Sequence, residues 1–143
     1  MTGSAFGVVG GPSSAGPCPC GGSPVPGTPY ADCCGRLHEG AAAATAEELM
    51  RSRYSAFVVG DEGYLLRTWH PRTRPESLGL DPRHRWTGLE VLETADGAPG
   101  DDTGTVTYRA RSRDTAGGRH EMTELAHFAR RVGRWVYVDG DVS

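Results

Sequence analysis

The chain predicts an α+β fold in which helices pack on a curved antiparallel sheet to form a cone, with a small cysteine knuckle on the N-terminal side. Three observations carry this. Apolar residues recur at helical spacing between residues 45 and 69, the period changes to two from Trp86 onward in runs separated by Gly- and Asp-rich turns, and all four cysteines fall between Cys18 and Cys34. A length of 143 residues gives room for one compact domain and an appendage, not for two equal domains.

Residues 1–16 are Gly, Ser and Ala with few bulky side chains, too weakly apolar to offset their own ordering entropy, and read as a disordered tail. Residues 17–38 form the knuckle, and Arg36 to Ala44 continues as a linker or loose helical lead-in. Thr45 caps the first firm helix, Glu48 completes a capping box, and Leu49, Met50, Tyr54, Phe57 and Val58 mark its apolar face until Gly60 ends it. Asp61 caps a shorter helix carrying Tyr64, Leu65 and Trp69, which Pro71 terminates because the residue before a proline avoids the helical region. Residues 71–85, Pro- and Arg-rich with one weak helical turn near Glu76 to Leu80, belong on the surface.

Strands over 86–94, 103–113, 119–131 and 135–139 make an antiparallel meander, completing a main domain over 45–143. A strongly twisted sheet wrapped around a helix encloses a pocket. On the third strand His120, Met122, Glu124, Ala126 and Phe128 share a face, matched on the second by Val106, Tyr108 and Ala110, and this face is predicted to look inward. Arg109, Arg111, Arg113, Arg119, Glu121 and Arg131 are predicted to look outward.

The net charge of −3 argues against nucleic-acid binding by bulk electrostatics. The chain has no Lys, which excludes a Schiff-base lysine and a phosphate-loop lysine. Its first seventeen residues hold no Lys or Arg and no sustained apolar run, so no secretory signal is predicted; no later stretch is long and apolar enough to span a bilayer, and a cytoplasmic location is expected.

Cys18 and Cys20 are separated by one residue and Cys33 and Cys34 are adjacent, so neither close pair reaches disulfide geometry without distortion. Folded together, the two pairs of thiolates can wrap one tetrahedral Zn2+ as a structural cofactor. Gly21, Gly22 and Gly35 let backbone amides approach the sulfurs, while Pro19, Pro24, Pro26 and Pro29 stiffen the loop. Crossed disulfides and a redox dithiol are the alternatives, and His38 is the fallback fourth ligand.

Cys18-Pro-Cys20-Gly, the turn with Pro29-Tyr30, and Cys33-Cys34-Gly35 resemble the SEC-C zinc motif found at the C-terminus of the SecA translocation ATPase and in many small bacterial proteins. Thr45 to Phe57, Thr68-Trp-His-Pro71 and Trp135 to Gly140 extend the likeness, so that most of residues 18–140 resembles the YchJ-like family, bacterial proteins joining a SEC-C knuckle to a nuclear transport factor 2-like domain. The twelve residues between Cys20 and Cys33 exceed the family's usual spacing, with Pro24 to Thr28 the apparent insertion. The resemblance implies a nuclear transport factor 2-like (cystatin-like) cone, zinc on the four cysteines, and protein recruitment as the knuckle's role.

Two function classes follow. The first is an adaptor whose knuckle, around Pro24 to Tyr30 and Arg36, binds a protein or ribosome-associated partner; a full ligand set leaves the zinc no open position for substrate, which favours a non-enzymatic role. The alternative is a small-molecule-binding or catalytic cone, with Arg51, Arg53, Trp69, His70, Tyr108, Glu124, Tyr137 and Asp139 as pocket candidates. There Glu124 and His70 suggest acid/base chemistry, although a buried ion pair of Glu124 with Arg51 or Arg53 is the plainer expectation. The outward arginines lack interleaved aromatic residues and read as a solvated sheet face rather than an RNA platform.

Overall fold

The computed structural model describes residues 16–143, so the tail expected over 1–16 lies outside the described residues except for Gly16. A 3-10 turn over Tyr30–Asp32 leads into the short helix α1 (Cys34–His38). Next come α2 (Ala46–Val59) and α3 (Glu62–Arg67), and then strands β1 (Arg85–Asp96), β2 (Thr103–Arg113), β3 (Arg119–Arg131) and β4 (Arg134–Val142). The strands form one antiparallel sheet in sequence order.

Local chemistry sets the helix ends. The Thr45 side chain accepts from Glu48 N, and Gly60 closes α2 in the left-handed region at φ 78°. The Glu48 carboxylate accepts from Ala44 N at 2.7 Å, one residue before the position a standard capping box uses. Asp61 caps α3 through Tyr64 N, but that helix stops at Arg67, earlier than Pro71 requires. The reason is competition from the sheet: Thr68 O accepts from Tyr137 N and His70 N donates to Tyr137 O, each at 2.8 Å, so Trp69 lies bridged to β4.

The cone face of the sheet follows the predicted parity. Val106, Ala110, Glu124, Ala126 and Phe128 are buried against α2, whose Leu49, Met50 and Tyr54 are likewise buried. His120 shares that register but lies at the β2–β3 turn, where its exposed ring pairs with Asp114 at 2.8 Å instead of entering the core. Arg109 and Arg111 pair with Glu90 and Glu121 on the outer face as expected of a solvated surface.

Helix α2 is buried on two sides, which its single apolar stripe does not announce. Ser52, Ser55 and Ala56 have no exposure at all; on this helix face Ser55 meets Cys18 of the knuckle, while the Ser52 hydroxyl meets Tyr64 of α3 and its carbonyl meets His38. All four cysteines and Leu37 belong to the same buried cluster as Leu49, Leu65 and Phe128. No helix is long and apolar enough to cross a membrane among the described residues.

Candidate metal centre and cone cavity

The knuckle brings its four thiols together by backbone turns. The Gly21 amide closes a turn onto Cys18 O at 3.0 Å, the Gly22 amide donates to the Cys20 sulfur at 3.3 Å, and the 3-10 turn at Tyr30 delivers Cys33 and then Cys34 at the start of α1. Gly35 is required here, since a Cβ would sit 2.7 Å from Tyr30 O. The ligand atoms of Cys18, Cys20, Cys33 and Cys34 lie within 4.8 Å of one another, all buried.

Observed Sγ separations are 3.6 Å for Cys20 to Cys33 and 4.0 Å for Cys33 to Cys34. Thiolates at about 2.3 Å from a shared tetrahedral ion stand about 3.8 Å apart, far from the roughly 2.05 Å of a disulfide bond. Electrostatics point the same way. Donation from Cys20 and Cys34 pulls Cys18 far below the usual thiol range, while Cys18 in turn pushes Cys20 up to about 12 and Cys34 higher still. Crowding of this kind opposes ionising all four thiols together, and a bound cation would allow four thiolates in so small a volume. Four close, buried cysteines fit a metal site.

His38 is no ligand in this arrangement. Its Nδ1 meets Tyr30 OH at 2.7 Å and its Nε2 meets Ser52 O at 2.9 Å, so both ring nitrogens are engaged between knuckle and α2. Docking is completed by Cys18 Sγ against Ser55 Oγ at 3.6 Å, Arg67 Nη2 to His38 O at 3.0 Å, and the Arg36–Glu48 ion pair at 2.8 Å.

The second cluster is a cavity of about 160 Å³ between α2 and the sheet, and it receives Arg53, Trp69, Tyr108, Glu124 and Tyr137 of the predicted pocket residues. Arg51, His70 and Asp139 are not among its walls. Two residues along a helix turn the side chain by about 200°, so Arg51 faces the knuckle, donating to Cys20 O and pairing with Glu47, each at 2.9 Å. His70 accepts from Arg72 N at 3.0 Å through Nδ1, in the turn that follows the β4 bridge. Asp139 is turned outward by a bulge: Tyr137 pairs with Phe128 and Asp139 with His127, leaving Val138 as an extra residue that inverts the parity of β4.

Glu124 is held by phenols rather than by an arginine. Tyr108 OH donates to its Oε1 and Tyr137 OH to its Oε2, the latter at 2.6 Å. Burial first, then the adjacent Glu124, pushes both phenols well above their ordinary range. The expected Glu124–Arg53 ion pair does not form; Arg53 Nη1 donates to Leu65 O and Thr68 Oγ1 at 2.7 Å, and the guanidinium stacks over Tyr137 and Trp69 at 4.7 and 5.0 Å. Burial pulls Arg53 down to about 10, so it remains charged near neutrality. Sequence reasoning missed Met50, Tyr54, Phe57 and Trp86 as cavity walls, having assigned the first three to general core, although their helical spacing with Arg53 was the available signal.

Comparison with known proteins agrees with this two-part construction. Residues 45–140 match the family described as the YchJ middle NTF2-like domain. A UPF0225 protein of Streptomyces coelicolor is 60% identical over 126 residues, covering 87% of this chain and 94% of its own. A UPF0225 protein of Corynebacterium glutamicum is 48% identical over 87% of this chain and 96% of its own. The solution structure of a SEC-C motif containing protein from Rhodopseudomonas palustris superposes with a TM-score of 0.72 at 31% identity, over 87% of this chain and 97% of that one. The chain belongs to the YchJ-like family, with a SEC-C cysteine knuckle docked on a nuclear transport factor 2-like cone.

Proposed function

We propose that this protein is a cytoplasmic adaptor in which a structural zinc ion on Cys18, Cys20, Cys33 and Cys34 fixes the knuckle against the cone, and that the seam between them captures an acidic segment of a protein partner. The observation that carries this reading is a groove of about 390 Å³ where residues 40–43, α3 and the β3–β4 hairpin meet, lined by Arg67, Arg74, Arg131 and Arg134 and by no carboxylate. All four arginines are exposed. Among the described residues none has an acidic partner within ion-pair distance; Arg67 and Arg134 are aimed by backbone carbonyls of His38 and Gly40. In a chain of net charge −3, so local a concentration of positive charge is a recognition feature.

Buried Leu37, Leu49, Trp135 and Val136 back the groove, and Val132, 90% exposed at the hairpin tip, offers an apolar contact at its edge. Zinc takes no part in chemistry, because four thiolates complete a tetrahedral shell. Arg36, expected to be a contact, pairs with Glu48 at 2.8 Å, and the reading proposed here centres the surface on the seam rather than on the knuckle loop.

The test is fluorescence anisotropy with labelled peptides alternating Glu and Leu, against charge-reversed Lys and Leu controls. Salt-sensitive binding of the acidic peptide alone is expected, weakened at least tenfold by Arg131→Glu with Arg134→Glu. Equal binding of both peptides, or binding untouched by the double substitution, would remove the seam as the site. Tighter capture of RNA that the same substitutions abolish would replace the protein partner with a nucleic acid.

A further inference from the structure

The cone cavity has a composition that its structural role leaves unexplained. Arg53 is buried to 6% exposure and Glu124 to the same extent, yet they stand on opposite walls without forming an ion pair within 4.0 Å among the described residues. Glu124 has both oxygens taken by phenols, whereas among the described residues Arg53 has acceptors for Nη1 alone. Trp69 Nε1, in the ring over which Arg53 stacks, is a buried donor with no acceptor among the described residues. A buried donor left unmatched, as Trp69 Nε1 is among the described residues, is uncommon in folded proteins and calls for an explanation, and the remaining Arg53 nitrogens lack a protein acceptor without being fully sealed from the cavity.

Size and charge narrow what could match them. An apolar cavity of about 150 Å³ accepts benzene, and this one measures about 160 Å³ with Phe57, Trp86, Met122 and Phe128 in its walls. The two cavity charges already balance, one cation against one carboxylate. A ligand bringing a further negative charge would face Glu124 in a medium of low dielectric constant, and one bringing a positive charge would face Arg53. What remains is a flat ring that offers an acceptor and no net charge.

We propose that the cone cavity is a binding site for an uncharged single-ring aromatic carbonyl compound of benzamide size. Its ring packs among Phe57, Trp86 and Met122, and its carbonyl oxygen accepts from the donors of Arg53 that the chain leaves free. An amide N–H on the other side of the carbonyl has Glu124 and the two phenol oxygens as acceptors. The site is independent of the arginine groove, which lies outside the cone.

Two methionines make the test direct, because Met50 and Met122 both line the cavity. The whole wild-type protein, labelled at its methionine methyl groups, is titrated with benzamide, benzoate and toluene and followed by NMR. Benzamide is expected to shift the Met50 and Met122 methyl signals saturably and at least tenfold more tightly than either analogue. Absence of a shift, or binding of benzoate or toluene within twofold of benzamide, overturns the proposal, the first by closing the cavity to a ring and the others by removing the role of charge balance or of the carbonyl. Ala110→Leu, which fills the cavity from β2, is expected to abolish the shifts; retention of full affinity in the folded variant would place the ligand elsewhere. Because the wild-type titration decides the matter alone, failure of that variant to fold leaves the conclusion intact.

Discussion

The knuckle and the cone cavity each bury a cluster of ionisable side chains, and they stabilise it by opposite means. In the knuckle four like ligands crowd within 4.8 Å, and among the described residues the Arg51 guanidinium on Cys20 O is one positive charge beside four potential thiolates, so the arrangement fits a cation from outside. In the cavity the charges are internal: Glu124 is solvated by two phenols and Arg53 by a carbonyl, a hydroxyl and two aromatic faces. One cluster fits an external cation; the other balances its charges within the chain and leaves Arg53 nitrogens without a protein acceptor among the described residues. The comparison is sharpest where the two meet on α2, whose Ser55 touches the knuckle and whose Arg53 faces the cavity.

The largest expected effect is removal of the cation proposed for the knuckle. A knuckle independent of the cone would let chelation disorder residues 18–35 alone. Leu37, Ser52 and Ser55 are instead buried at a shared interface, so stripping the metal or substituting Cys34→Ser should destabilise the whole domain, by about 5 kcal/mol, comparable with the total stability of many small domains. Circular dichroism melts with and without a zinc chelator check this. A cone transition at an unchanged temperature would show that the knuckle is energetically separate.

Next in size is a test of how firmly Glu124 is tethered. A Cβ at Gly140 would fall 1.9 Å from Glu124 Oε2, an atom that a free side chain could swing away but one that Tyr137 holds at 2.6 Å. Gly140→Ala should therefore cost about 3 kcal/mol in denaturant unfolding, falling below about 1 kcal/mol in a Glu124→Ala background. Glu124→Gln, which weakens two charge-assisted bonds without stranding an arginine, should cost about 2 kcal/mol. An undiminished Gly140→Ala effect in the double variant would mean that the backbone of β4, not the carboxylate, needs the glycine.

These two regions also differ in how far the sequence reveals them. Knuckle ligands are neighbours along the chain and their chemistry is specific, so Cys18, Cys20, Cys33 and Cys34 are legible directly. Period-two alternation likewise reveals the strands and the inward set of Tyr108 and Glu124. Three things are hidden. The Val138 bulge moves Asp139 to the outer face, and no residue type announces it. Arg51 and Arg53 sit two apart on a helix buried on both sides, so apolar periodicity cannot tell which faces the cavity. The docking surface itself is written in Ser52 and Ser55, small polar residues that look solvent-facing until a partner surface is placed against them.

A smaller effect separates packing from ligation within the knuckle. His38 bridges Tyr30 and Ser52 and offers no nitrogen to the sulfurs, so His38→Gln should leave one metal per chain by elemental analysis and cost about 1 kcal/mol in stability. Loss of metal at unchanged folding would return His38 to the ligand set.

The smallest effect is absent at neutral pH and appears in strong alkali, where it compares the tyrosines of the two regions. Burial pushes Tyr30 beside the knuckle and Tyr54 up to about 12, and pushes Tyr108 and Tyr137 higher, with Glu124 reinforcing the cavity pair. In each case the folded-state value exceeds that of the unfolded chain, about 10. The folded protein therefore holds more protons than the unfolded chain above that pH, and the sign of the linkage makes stability complete below pH of about 10 and progressively lost as pH rises through the folded-state values. Phenolate absorbance should accordingly stay low at pH 10 and emerge above it, Tyr30→Phe removing an early part of the rise and Tyr108→Phe part of the last. A single early rise carrying the cavity tyrosines, in protein still folded by circular dichroism, would mean that water reaches Glu124 freely and that the cavity is not the dry, charge-balanced site its geometry describes.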